Sequence, residues 1–142
     1  MESRSHRVGL KAAAVLVGLL GALKIYGVVA HQVGNIPDGV LGIPTNGLAL
    51  GAGLIELGLS VLMLGLLSPI RSAQGLSMWG FCLVCWRVAH AWSGSAVACP
   101  CLGPARQWLG LSAATEERLL LSIAVWWLLV GLLAWAREQL CR

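Results

Sequence analysis

The chain has 142 residues, 58% of them apolar and only 11% charged, with a mean hydropathy of +0.80. A soluble domain of this size carries about a quarter charged residues, so ten Lys+Arg and six Asp+Glu cannot coat a water-facing globule. Composition therefore excludes a soluble enzyme, a disordered tail and a nucleic-acid module. It leaves an all-α polytopic membrane protein whose surface faces lipid, and the net charge of +4 then bears on orientation across the bilayer.

Four apolar runs, at 8–30, 47–67, 76–92 and 119–136, predict a bundle of four transmembrane helices forming a single membrane domain. About 20 residues at 1.5 Å each cross a ~30 Å hydrocarbon layer. The first run follows Arg4, Arg7 and Lys11 as a signal peptide would. It continues past Lys24 without a small-x-small cleavage site, so a retained helix is expected. Pro37 and Pro44 break the first connection and Pro69 breaks the second. Gly18 and Gly21 in the first run, and Gly47, Gly51, Gly58 and Gly65 in the second, suit close helix packing in lipid.

Basic residues set the expected orientation. Arg4, Arg7, Lys11, Arg71, Arg137 and Arg142 fall on one side, against Arg106 and Arg118 on the other, which places both termini in the cytoplasm. Trp79 and Trp135 would then sit near the inner boundary, and Trp92 and Trp108 near the outer one.

Lys24, Glu56 and Arg87 lie inside predicted spans. From the expected ends they stand ~7, ~2 and ~5 Å outward of mid-span, so an acid and two bases share one level. Such a polar intramembrane cluster is either a structural ion pair that orders the bundle or a pocket for a headgroup, a quinone or a proton.

The outer loop, 93–118, contains Cys99-Pro100-Cys101-Leu102-Gly103 on the side where disulfides persist. Two cysteines one residue apart close only a cramped ring, and Pro100 limits it further. A strained, exposed disulfide is oxidising and ready to exchange with a partner thiol. Cys99 and Cys101 are therefore the candidate redox pair; the alternatives are that each bonds elsewhere or binds nothing, or a metal site with the remote His90 or His31. Cys82 and Cys85 share one face of the third helix, ~60° apart, with Arg87 pointing ~200° from Cys85. They are either inert small hydrophobes or a second redox pair, and their C-L-V-C run is similar to a motif of DsbB, the quinone-coupled disulfide generator. Cys141 is expected to be a free thiol.

Lys24 late in the first span, Glu56 within Leu54-Ile55-Glu56-Leu57-Gly58, and the C-P-C-L-G segment together resemble the MauE/DoxX family of small four-helix, redox-associated membrane proteins. The likeness is best over 47–103, and Trp86-Arg87 before the C-P-C-L-G segment is similar to one bacterial branch. The usual family motif is C-G-C-F-G, where this chain has Pro100 and Leu102. MauE is associated with methylamine utilisation and the making of a disulfide-rich periplasmic dehydrogenase, and DoxX with a thiosulfate:quinone oxidoreductase.

The resemblance implies thiol or sulfur redox chemistry at the outer face of the bacterial inner membrane. Its partner would be a periplasmic thioredoxin-like or disulfide-bearing protein, and any redox cofactor a membrane quinone. The alternatives are a non-catalytic assembly subunit of a membrane complex, and a small solute or metal carrier built around Lys24, Glu56 and Arg87.

Overall fold

The computed structural model describes residues 2–93 and 108–140, so Cys99, Cys101, Arg106 and Cys141 lie outside the described residues. Within them the chain is all-helical. The four long helices are α1 (Glu2–Val29), α2 (Thr45–Val61), α3 (Pro69–Trp92) and α4 (Ala113–Leu140). A π-helical turn, Leu62–Leu66, carries α2 onward and closes with the Leu67 N–H donating to the Leu62 carbonyl at 2.8 Å. Three segments, Val8–Val29, Thr45–Leu66 and Ala113–Arg137, are long and apolar enough to cross a membrane.

The third helix differs most from expectation. It starts at Pro69 rather than at 76, because Pro69 takes the first helical position after an extended Ser68, where its missing N–H and fixed φ suit a helix start. Counting apolar residues passes over this turn, which holds Arg71, Ser72 and Gln74. The 24 residues reach ~36 Å, long enough to cross, but these polar groups with Arg87 and His90 lower the helix's mean hydropathy. The fourth helix likewise begins at Ala113 rather than 119, on a charged first turn and a half that includes Glu116 and Arg118.

The helices associate as two antiparallel pairs, α1 with α2 and α3 with α4, and the pairs meet along a thinner seam. Small residues set both pairings. A Cβ on Gly21 would stand 2.7 Å from the Gly53 carbonyl oxygen and 2.9 Å from the Glu56 Cβ, so the α1 and α2 backbones touch there. On α3 and α4, a Cβ on Gly80 would meet the Ala124 carbonyl at 2.8 Å, and one on Gly131 the Ala73 carbonyl at 2.6 Å. Between the pairs, Ala13, Ala14, Val17, Leu76 and Trp127 are essentially fully buried and form the core. Many large apolar side chains face outward, among them Leu19, Leu54, Ile55, Phe81, Leu129 and Leu133.

Gly21→Ala forces two backbones apart and is expected to lower the stability of detergent-solubilised protein by about 1–3 kcal/mol. Gly58→Ala, with nothing within 4 Å of the added methyl, serves as the neutral control. Thermal melts of the two variants check this.

Candidate functional site

The contact between Gly21 and Gly53 brings α1 and α2 close enough for Lys24, one turn further along α1, to reach Glu56, one turn further along α2. Lys24 Nζ donates to Glu56 Oε1 in an ion pair whose side chains are 6% and 0% exposed. From α3, Trp79 Nε1 donates to the same oxygen at 3.3 Å. Three helices thus converge on one carboxylate, and Glu56 Oε2 has no hydrogen-bond partner among the described residues.

Two sequence expectations change here. Trp79 is not a boundary residue: with α3 starting at Pro69 it stands near the helix midpoint and turns its indole N–H to Glu56. Arg87 does not join the cluster. On the longer helix it lies ~10 Å beyond the midpoint at 1.5 Å per residue, and it has no ion-pair partner among the described residues. The predicted trio of Lys24, Glu56 and Arg87 is in fact Lys24, Glu56 and Trp79.

Cys82 and Cys85 are free thiols on the outer surface of the bundle. Gly80 faces α4, and on a 100° wheel Cys82 and Cys85 point 200° and 140° away from it, which turns both sulfurs from the core. They share one face, as expected, but are not buried among protein side chains. Among the described residues no group of three or more His, Cys, Asp or Glu is placed to hold a metal ion.

The second polar constellation lies at the end where α1 leads into α2. Asp38 Oδ1 accepts the backbone N–H groups of Val40 at 2.8 Å and Leu41 at 3.0 Å, which closes a tight turn over 38–43. The Asp38 N–H donates to the Ile43 carbonyl and the Gly42 N–H to the Asp38 carbonyl. Asp38 Oδ2 lies 2.7 Å from His90 Nε2, near the C-terminal end of α3, and both residues are buried. The Trp86 ring flanks His90 at 5.6 Å. At the same end Trp108, the first described residue after Cys99 and Cys101, stacks obliquely on Tyr26 of α1 at 6.2 Å.

Burial alone would raise the Asp38 carboxyl, but the Leu41, His90 and Val40 hydrogen bonds and the His90 charge outweigh it and hold the group below its ordinary 3.8. Sequence reasoning missed this pair, although Asp38 is the one charged residue in 31–46 and follows a turn-forming proline.

Removing one member of the central pair leaves a buried charge alone. Glu56→Ala or Lys24→Met is expected to lose about 3–5 kcal/mol, while Lys24→Met combined with Glu56→Met recovers most of it; melts of all three variants check this. Because the folded Asp38 carboxyl is depressed, its contribution is present above the unfolded value and lost as pH falls through the folded one. The melting difference between wild type and Asp38→Asn should therefore shrink as the pH drops below about 4. No protein-family model, curated protein or solved structure matches the chain.

Proposed function

We propose that this chain is a four-helix protein of the bacterial cytoplasmic membrane, of the MauE/DoxX kind, with both termini in the cytoplasm. At the outer face it exchanges thiols and disulfides with a soluble partner through Cys99 and Cys101. The observation that carries the reading is the asymmetry of the two ends. The Asp38–His90 pair and the Tyr26–Trp108 contact gather the first connection, the end of α3 and the return of the third connection at one end. In the sequence the C-P-C segment lies between α3 and α4, whose ends here carry Arg87 and Arg118; Lys11, Arg71 and Arg137 lie at the other end. Such a distribution of Lys and Arg supports an outward orientation of the cysteine-bearing end. Outward-facing apolar side chains on all four helices further support a lipid setting.

In this reading, a thiolate of a thioredoxin-like partner attacks one sulfur of the Cys99–Cys101 disulfide. The S–S bond breaks, a mixed disulfide forms and one thiol is released. The partner's second thiolate then attacks the mixed disulfide. The partner leaves oxidised, and Cys99 and Cys101 remain as a dithiol that has gained two electrons and two protons. An acceptor in the membrane, a quinone or a second membrane protein, takes the electrons and restores the disulfide.

The test uses intact cells expressing the full chain without Cys82, Cys85 and Cys141. A membrane-impermeant maleimide should label Cys99 and Cys101 from outside only after reductant, and with Cys101→Ser, which has no disulfide to be attacked, the thiols of the periplasmic partner should accumulate in reduced form. Thiols that stay reduced in aerobic cells, or that are never reached from outside, overturn the proposal. An unchanged partner redox state after replacing both cysteines with serine favours an assembly subunit instead.

A further inference from the structure

At the end opposite the Asp38–His90 pair, α1, the π-turn and the start of α3 enclose a cavity of about 270 Å³. We infer that this cavity binds a phosphate group, with Lys11 of α1, the Ser72 hydroxyl and the uncapped N-terminus of α3 as its ligands. The three contributions are independent of one another.

The first is the helix end. The N–H groups of Ile70 and Arg71 belong to the first turn of a 24-residue helix and have no intrahelical acceptor. Ser68 stands at the N-cap position without making a side-chain cap, so these donors and the positive end of the helix dipole are open to an anion. Pro69 at the first helical position and Leu67 before it both line the cavity.

The second is Ser72. It is 3% exposed, lines the cavity, and its hydroxyl makes no hydrogen bond among the described residues. Ser122, by contrast, bonds back to the Arg118 carbonyl at 2.8 Å. The Ser72 oxygen is not fully enclosed, so it opens onto the cavity, where it can donate to a ligand.

The third is Lys11, an exposed cation on the cavity wall, the one charged side chain among the described lining residues. A cation and neutral donors, with no carboxylate among the described lining residues, match a phosphate mono- or diester. The π-turn shapes the opposite wall: its extra residue per turn offsets Met63 and Leu64, which supply apolar surface beside the polar groups. At roughly the lower limit of small-molecule clefts, ~300 Å³, the cavity takes a headgroup rather than a whole amphiphile. A phospholipid headgroup and free phosphate share this chemistry. The inference makes no use of the cysteines, so it stands or falls apart from the thiol reading.

The experiment titrates purified full-length protein in uncharged detergent with short-chain phosphatidylglycerol, and separately with inorganic phosphate, following ³¹P line broadening. Lys11→Gln and Ser72→Ala should each weaken binding, Lys11→Gln by about tenfold. Lys11→Gln should melt like wild type because Lys11 is exposed. Arg118→Gln, at the opposite end, should bind like wild type. Lys11-dependent binding of phosphatidylglycerol alone supports a lipid headgroup, and equal Lys11-dependent binding of inorganic phosphate supports a free anion. Binding of neither probe, or binding that Arg118→Gln weakens as much as Lys11→Gln, overturns the inference.

Discussion

The structure is organised around a carboxylate that has to be buried. Glu56 sits at the centre of α2 with no exposure, and an isolated charge there would be strongly unfavourable in low-dielectric surroundings. Lys24 compensates it, and only because Gly21 and Gly53 let two backbones touch one turn away. Trp79 adds a neutral donor from α3. Pair, glycines and indole depend on one another: widening the α1–α2 contact separates the charges, and sliding α3 along its axis removes the indole. A buried ion pair is a weak source of net stability, yet it penalises every arrangement in which its partners do not meet. In this bundle it fixes the register of three helices.

The two ends of the bundle are chemically different. One carries a turn closed on Asp38 and fastened to α3 through His90, with Trp86, Tyr26 and Trp108 nearby. The other carries Lys11 and Arg71, the π-turn and an uncapped helix start. The Asp38–His90 pair and the Trp79–Glu56 hydrogen bond both join the α1–α2 hairpin to the α3–α4 hairpin, at different heights. This matters because the apolar seam between the hairpins is thin. Polar ties thus supply alignment where packing alone supplies little.

Much of this was legible in the chain itself. Long apolar runs identify helices because a 20-residue run with few charges has few other uses, and 8–30 and 47–67 match the apolar spans Val8–Val29 and Thr45–Leu66 closely. Lys24 and Glu56 stood out for the same reason: an ionisable residue in an apolar run needs a partner. The start of α3 was not legible by that rule, since Pro69, Arg71, Ser72 and Gln74 interrupt hydrophobicity while serving as ordinary first-turn residues. That error displaced Trp79 to a boundary and brought Arg87 too near the centre.

Sequence alone determined that this is a helical chain with an apolar exterior and a buried acid in need of a base, because composition and run length constrain solvent and secondary structure directly. Tertiary structure decided which donors answer that acid, which residue fastens Asp38, and which face of α3 carries Cys82 and Cys85. These are matters of helix rotation and of contact between residues far apart in the chain, such as Asp38 and His90. Periodicity within one helix says which residues share a face, but the partner of that face is set by where glycines allow two backbones to meet.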